Sequence, residues 1–249
     1  MDTICEMDKF TKTVKEGDRG RDVRLAQEWL CYHAFATGID GDFGPATDSC
    51  VKAFQHRAQL PESGIVHPPT QSALLAPVDA VNAAIPVGAK TLGALVVAYA
   101  RQHLKPHPIE IGGENSGPWV RLYMNGNEGR EWPWCAGFAT FVLRQAAKTM
   151  GVPMPHPYAF GCDLLATVAK GNGRFLRPAT AAELASVRAG YLFLIRKTNN
   201  SWAHIGIVEA VQGETMLTIE GNTNDNGSAE GFEVCRRTRG IKDKDYLTL

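Results

Sequence analysis

An Ala/Pro/Val-rich stretch at residues 77–90, PVDAVNAAIPVGAK, divides the chain into two parts with different periodicity. Before it, apolar residues recur at the three- and four-residue spacing of helices. After it, residues 201–208 and 216–220 are rich in β-branched residues and alternate as strands do. The stretch itself has the composition of a linker. We therefore expect an α+β protein of two domains, a small helical one over 12–76 and a larger one over 91–249.

Residues 14–76 predict three short helices separated by turn clusters. The first begins at Asp22, the expected N-cap. The second runs from Pro45 to Ala58, after the cluster GIDGDFGP, in which Asp-Gly supplies the positive φ of a tight turn. The third runs from Pro69 to Leu75. The first part of the chain is thus predicted to be a three-helix domain.

The order of these motifs resembles that of the three-helix peptidoglycan-binding domain family. The segments that carry the resemblance are EGDRGRDVRLAQEWL, IDGDFGPAT and VKAFQHRAQLPESGIVHPPTQSAL. The sequence departs from the family pattern at Ala26, where a leucine is common, and at His67-Pro68-Pro69, which replaces a Gly-containing turn. The resemblance implies that this domain binds bacterial peptidoglycan and raises the effective concentration of the rest of the chain there.

The second part of the chain has a cysteine at the predicted start of a helix. Cys135 lies in WPWCAGF, and the apolar run FATFVLRQAAKTM after it predicts a helix that ends at Gly151. Free backbone N–H groups and the helix dipole favour a thiolate at such a position. A thiol with a pKa of about 8.5 also needs a nearby base before it is largely ionised at neutral pH.

The candidate base is His204, in the predicted strand SWAHIGIV. A three-residue turn at 212–214 would put His204 on the same face as Glu220 and Asn222 of the returning strand, opposite or diagonal to them. A two-residue turn would move those side chains to the other face unless a bulge intervened. A carboxylate or amide beside the imidazole would fix its tautomer and orientation.

The segments PWCAGFATFVL, AHIGIVEAV and TIEGNTND are similar to the CHAP family of cysteine, histidine-dependent amidohydrolases/peptidases. The resemblance spans roughly residues 92–245 and implies a papain-like fold, with one main helix against an antiparallel sheet. Carried over position by position, it implies Cys135 as nucleophile, His204 as base, Glu220 as the group that orients His204, and Asn222 as an assisting group. The related NlpC-type peptidases have Asp-Cys-Ser-Gly where this chain has Trp-Cys-Ala-Gly, which favours CHAP.

The resemblance implies acyl transfer from an amide of peptidoglycan to Cys135, without a cofactor or metal. Backbone N–H groups at the helix start would hold the oxyanion. Four residues are expected to line the substrate groove, with simple packing as the alternative for the second of them: Trp134, Trp202, Asn115 and Trp119. The bond could be the amide that joins muramic acid to L-Ala or one within the stem or cross-bridge peptides, and the sequence leaves this open.

Other chemistries find weaker support in the sequence. A zinc site is not favoured because HExxH is absent, and Pro106 interrupts a helix that would bring His103 and His107 together. His156 and Cys162 lie in a Pro-rich loop. A glycosidase would need two carboxylates across a cleft, and its candidates lie in loops: Glu110, Glu114 and Glu131. A binding protein with a decayed site would have no reason to keep the Cys/His/Glu/Asn set.

Charge, the start of the sequence and cysteine content limit which partners and which cellular location are expected for the protein. Lys plus Arg and Asp plus Glu both number 26, so a nucleic-acid partner is not expected. The start lacks a signal-peptide pattern, and no apolar run reaches membrane-spanning length. We therefore expect synthesis in the cytoplasm and action in the periplasm or cell wall of a target bacterium. Six cysteines are expected to be free thiols: Cys5, Cys31, Cys50, Cys135, Cys162 and Cys235.

This layout is the one expected of a monomeric phage endolysin for a Gram-negative host, released with the help of a holin. Two alternatives use the same chemistry. An antibacterial effector would be accompanied by an immunity protein, and a bacterial autolysin would be exported by another route. A non-catalytic wall-binding protein is the alternative from another class.

Overall fold

The computed structural model describes residues 8–224 and 231–249, so Cys5 lies outside the described residues. The helices are α1 (Arg21–Tyr32), α2 (Pro45–Arg57), α3 (Pro68–Asn82), α4 (Leu92–Leu104), α5 (Pro118–Tyr123), α6 (Cys135–Met150), α7 (Cys162–Gly171) and α8 (Ala181–Ala185). The strands are β1 (Phe175–Leu176), β2 (Leu192–Thr198), β3 (Ser201–Gln212), β4 (Thr215–Thr223), β5 (Glu233–Gly240) and β6 (Lys244–Leu247). No described helix has the length and apolar character needed to cross a bilayer.

The described chain forms two compact units, each built from two segments. The segments of the first are the residues up to Ala80 and Ile109–Arg130, and those of the second are Val81–Pro108 and Glu131–Leu249. This division differs from the continuous domains expected over 12–76 and 91–249. The expected linker at 77–90 is also partly helical, because α3 continues to Asn82. The boundaries of the functional domains stay a prediction.

Helices α1, α2 and α3 confirm the predicted three-helix arrangement of the first unit. Helix α2 has the predicted bounds to within a residue, whereas α3 extends beyond Leu75. Asp22 is not the N-cap of α1, because the helix already begins at Arg21 after Gly20. The Asp22 carboxylate instead accepts the Thr11 hydroxyl at 2.6 Å and the backbone N–H groups of Thr11 and Lys12 at 3.0 Å. Its role is to hold the preceding segment to the helix.

The segment Ile109–Arg130 belongs to the first unit because charged and aromatic side chains bind it to α1. The Arg121 Nη2 lies 2.6 Å from Glu28 Oε2, and both side chains are largely buried. The indole rings of Trp119 and Trp29 pack edge to face, with 5.8 Å between their centroids. Sequence periodicity could not show this, because the contacts join residues about ninety positions apart.

The second unit has six antiparallel strands in the order β1-β6-β2-β3-β4-β5. Helix α6 packs on β3 and β4 and on α4, with Phe138, Phe141 and Val142 fully buried. Thr91 caps α4 by accepting the N–H of Ala94. This is the predicted α+β arrangement of one main helix against an antiparallel sheet. It brings the first turn of α6 to the middle of the sheet.

The β3–β4 hairpin is closed by a two-residue turn, Gly213-Glu214, and not by the expected three-residue turn. A register shift at Glu209 gives β3 one extra residue, a bulge. The bulge compensates for the short turn, because the extra residue returns His204 and Glu220 to the same face of the sheet. His204 and Glu220 accordingly point at each other, as their hydrogen bond shows.

Candidate active site

Cys135 is the first residue of α6, as predicted, and its side chain is buried. Trp134 stands at the N-cap without a capping side-chain hydrogen bond, so the N–H groups of the first turn are not used by a cap. The thiol interacts with the His204 ring, the Cys162 thiol and the backbone N–H of Ile205. Three donors thus surround one sulfur atom at the positive end of a helix.

His204 lies on β3, and its side chain is only 3% exposed. Its Nε2 is 2.8 Å from Glu220 Oε2. The other ring nitrogen, Nδ1, is buried and has no nitrogen or oxygen partner among the described residues. That nitrogen is left for the thiol of Cys135, with which the ring interacts. The imidazole therefore connects the sulfur on one side to a carboxylate on the other.

Glu220 lies on β4, and its carboxylate is completely buried. Besides His204, two side chains donate to it. Thr218 Oγ1 is 2.5 Å from Oε1, and Arg239 places Nε 2.6 Å from Oε1 and Nη2 2.6 Å from Oε2. Burial would raise the pKa of this carboxyl, but Arg239 and His204 lower it to about 2. Glu220 is therefore ionised throughout the neutral range.

The charges of the Cys–His pair follow from the same contacts. Burial would lower the pKa of His204, but Cys135 and Glu220 raise it to about 9. The Cys162 and His204 side chains and the Ile205 N–H hold the pKa of Cys135 well below its ordinary value, although burial opposes them. The contact has the opposite effect on Cys162, whose pKa is raised well above its usual range. At neutral pH the site favours a thiolate–imidazolium pair with Cys162 protonated.

Two glycines allow the strands to approach this closely. A Cβ added to Gly206 would lie 2.7 Å from Glu220 Cγ and 2.7 Å from Phe193 Cε1. A Cβ added to Gly221 would lie 2.7 Å from Cβ and Cγ of Phe138 on α6. Distances under about 3.0 Å are not found for real Cβ atoms. Neither position accepts a larger residue without separating the elements that carry the site.

Asn222 is buried and has a left-handed φ of 52°. It falls within the register shift between Glu220 and Thr223. The alternation of side chains in a regular strand therefore does not determine which face its side chain takes. The structure brings together Cys135, His204 and Glu220 of the four predicted catalytic residues. The assisting role of Asn222 stays a prediction.

The four residues expected to line a substrate groove are buried, with exposures of 0% for Trp134 and Trp119 and 6% for Asn115 and Trp202. The Trp202 indole N–H donates to Asp245 Oδ2 at 2.7 Å. Asn115 and Trp119 belong to the first unit. A buried side chain offers little surface to a polymer, so these positions support packing and not the expected lining of a groove.

The histidines weighed as metal ligands have separate partners. His103 is fully buried with its Nε2 2.8 Å from Gln145 Oε1, and burial lowers its pKa to about 4. His107 pairs with Glu233, and His156 Nε2 lies 2.8 Å from a backbone carbonyl. In the described part of the chain, no three His, Cys, Asp or Glu side chains form a metal-ligand set.

Sequence reasoning missed three residues around the site. The sequence places Cys162 in a Pro-rich loop, yet it is the first residue of α7 and contacts Cys135. Thr218 and Arg239 received no role, although both bind Glu220. The charged segment EVCRRTRG carries no local signal for which arginine faces the site, because that depends on the β4–β5 register. The described cysteines are free thiols.

Comparison with known proteins gives two family matches. Residues 19–74 match the model of a peptidoglycan binding domain, and residues 125–222 match that of the CHAP domain. Among solved structures, the SleB N-terminal domain is 32% identical over 27% of this chain and 94% of its own, with a TM-score of 0.27. A Burkholderia AP3 phage endolysin is 26% identical over 41% of this chain, with a TM-score of 0.25, and this chain covers only 42% of it. A search of curated proteins gave no significant match.

The two family matches lie where the sequence motifs predicted them and confirm both resemblances. Cys135, His204, Glu220 and Asn222 all fall inside the second matched range. Together the matches support a peptidoglycan hydrolase. The chain therefore carries a peptidoglycan-binding domain followed by a CHAP domain.

Proposed function

We propose that the protein hydrolyses an amide bond of peptidoglycan, with Cys135 as nucleophile, His204 as acid and base, and Glu220 as the group that orients His204. The observation that carries the proposal is the buried series of contacts from the Cys135 thiol through the His204 ring to the Glu220 carboxylate. Its charges favour a thiolate next to an imidazolium, which is the form that such a nucleophile needs.

In the first half of the reaction, the Cys135 sulfur attacks the carbonyl carbon of the amide and forms a tetrahedral intermediate. N–H groups in the first turn of α6, which no side chain caps, would donate to the oxyanion. The His204 imidazolium gives its proton to the leaving nitrogen, the C–N bond breaks, and a thioester remains on Cys135. Glu220 stabilises the imidazolium until this transfer and keeps the ring in one orientation.

In the second half, the now neutral His204 takes a proton from water while the water oxygen attacks the thioester carbon. The C–S bond breaks, releasing the new carboxylic acid and returning Cys135 as a thiolate beside an imidazolium. All proton transfers use the ring nitrogen that faces the sulfur, because the other one is held by Glu220. No other protein base is needed in this sequence.

The finer choices concern the bond and the biological role. We propose a phage endolysin, supported by the pairing of a wall-binding domain with a CHAP domain. An injected effector and an autolysin would have the same site. The bond is the amide that joins muramic acid to L-Ala or one within the peptides, and the released fragments distinguish these two possibilities.

The test is mass spectrometry of the fragments released from purified peptidoglycan by the wild type, Cys135→Ala and Cys235→Ala. Cys235 is a second thiol of the same unit that forms no disulfide, and from its place on β5 it serves as the matched control. The proposal expects fragments from the wild type and Cys235→Ala and none from Cys135→Ala. Glycan strands with free intact stem peptides would identify an amidase, and shortened stems an endopeptidase. Equal release by all three proteins would remove Cys135 from the mechanism.

A further inference from the structure

Arg239 on β5 forms a two-pronged ion pair with Glu220 across neighbouring strands. Its Nε lies 2.6 Å from Oε1 and its Nη2 lies 2.6 Å from Oε2. The carboxylate is completely buried, and the Arg239 side chain is only 16% exposed. None of the proposed reaction steps uses Arg239, so its contact with Glu220 needs another explanation.

The balance of charges among the buried groups of the site explains the presence of Arg239. In the reactive form, Cys135 is an anion, His204 a cation and Glu220 an anion, so these three buried groups carry a net charge of −1. Uncompensated buried charge is costly. The Arg239 cation brings the sum to zero. Without it, one of the two anions must bind a proton, and the thiol is the weaker acid of the two.

We propose that Arg239 is a positioning residue whose charge balances Glu220, so that Cys135 can be a thiolate while His204 is an imidazolium. The proposal rests on the Cys135–His204 site proposed above. Arg239 touches neither the sulfur nor a reacting atom, and it acts through Glu220. Its two-pronged geometry also holds the carboxylate in the plane in which one oxygen meets His204 and the other meets Thr218.

The other charged and titratable groups around Glu220 do not replace Arg239. His204 faces it from β3, and Cys135 and Cys162 lie behind His204 at the starts of α6 and α7. Lys244 on β6 interacts with Glu220, but its ammonium donates to the backbone carbonyl of Lys242, and burial lowers its pKa. Apart from His204, Arg239 is therefore the cation among the described residues that binds the Glu220 carboxylate directly.

The competing explanation is that Arg239 only fastens β5 to β4. The same strand provides a matched control for this explanation. Arg236 makes the same kind of two-pronged pair with Glu209, at 2.6 and 2.9 Å, and the Glu209 side chain is 3% exposed. Removing Arg236 breaks a two-pronged pair between β5 and β3. Glu209 keeps Arg101, whose Nε lies 2.7 Å from Oε1, and it has no contact with the Cys–His pair. A purely structural role predicts the same result for both arginines.

The experiment follows alkylation of Cys135 by iodoacetamide in the full-length protein as a function of pH. Peptide mapping by mass spectrometry separates this thiol from the others. The variants are Arg239→Gln, Arg239→Lys, Glu220→Gln, the double variant Arg239→Gln/Glu220→Gln and the control Arg236→Gln. Alkylation reports the thiolate and needs no peptidoglycan, so it is independent of the bond that is cut.

We expect Arg239→Gln to lower the alkylation rate at neutral pH by about tenfold or more, which requires the apparent pKa of Cys135 to rise to about one unit above the assay pH. Arg239→Lys keeps the charge and should stay within about threefold of the wild type. Arg236→Gln should not change the profile. The double variant should react faster than Arg239→Gln, because removing both charges leaves the thiolate and imidazolium balanced.

An Arg239→Gln profile that matches the wild type, or a double variant slower than Arg239→Gln, would overturn the proposal. If Arg239→Gln does not fold, Glu220→Gln and the double variant give a second test. Loss of the arginine cation in the Glu220→Gln background should again slow alkylation, and a double variant that reacts faster than Glu220→Gln would overturn the proposal. A wild type whose Cys135 titrates as an ordinary thiol would instead contradict the thiolate–imidazolium pair of the proposed function. The two failures are therefore distinguishable.

Discussion

Replacing Gly221 by alanine should disable the site more than it destabilises the fold. The added Cβ would lie 2.7 Å from Cβ and Cγ of Phe138 and 2.9 Å from Cζ3 of Trp134. Carbon atoms in contact are about 3.5–4.0 Å apart, so β4 would have to move from α6 by roughly 1 Å. Neither neighbour can yield easily, because both side chains are fully buried and Cβ of Phe138 is fixed by the helix backbone.

The displacement acts directly on the catalytic contact. Glu220 precedes Gly221 on β4, and its Oε2 is 2.8 Å from His204 Nε2. A misplacement of about 1 Å can cost about 10²-fold in rate. Overpacking of this kind costs about 1–3 kcal/mol of the free energy of unfolding. We expect Gly221→Ala to remain folded but to hydrolyse peptidoglycan about a hundredfold more slowly.

Two measurements check this prediction: urea unfolding followed by circular dichroism, and the initial rate of fragment release from peptidoglycan. Gly171→Ala is the control, because Gly171 ends α7 and a Cβ there would meet nothing within 4 Å. The control should keep its activity and lose no stability. A Gly221→Ala protein with wild-type rate and stability would refute the argument that close approach of β4 to α6 positions Glu220.

Four further predictions concern pH and the neighbours of the site. Hydrolysis should fall as pH rises through about 9, where His204 loses its proton, and as pH falls through the depressed pKa of Cys135; a flat rate profile across pH 9 would contradict the raised pKa. The pKa of His204 in the folded protein exceeds its ordinary value of 6.5, so its protonation stabilises the fold. This stabilisation is complete below pH 6.5 and is lost as the pH rises through about 9. Urea unfolding at several pH values measures the change. Cys162→Ala removes a donor to Cys135 and should slow its alkylation at neutral pH but not at high pH, and an unchanged profile would count against the contact. Trp202→Phe leaves Asp245 without the indole N–H and should cost about 1–2 kcal/mol of stability but little activity; a large loss of turnover in the folded variant would restore the groove-lining role.

The elements with strong local patterns could be predicted from the sequence. Helix α6 and strands β3 and β4 have clear periodicity and lie between Gly-containing turns, so Cys135 and His204 could be placed on their elements before the fold was known. The turn length in the hairpin could not be predicted. Gly213-Glu214 forms a two-residue turn. Only the bulge at Glu209 puts Glu220 on the same face as His204, as the longer turn would have done.

The missed residues depend on pairings that no local pattern encodes. Arg239 lies 19 residues from Glu220. Positions 235–240 of β5 alternate between half-buried and exposed, with charges at several of them. Cys162 reaches Cys135 because two helices begin at the same place, which is a property of the packed unit. The burial of Trp119 was equally hidden, because its contact with Trp29 joins distant parts of the first unit.

The bulge at Glu209 also has a consequence for insertions and deletions. A strand alternates its side chains between two faces. Deleting one residue between Glu209 and the turn would therefore move every side chain on one side of the deletion to the opposite face relative to β4. Deleting Glu209 itself would remove the compensation and turn His204 away from Glu220. A second change of one residue, in the turn or on β4, would restore it. Length variants of this hairpin should therefore survive only in pairs, and a single-residue gap in an otherwise similar sequence would mark a chain that has lost the contact.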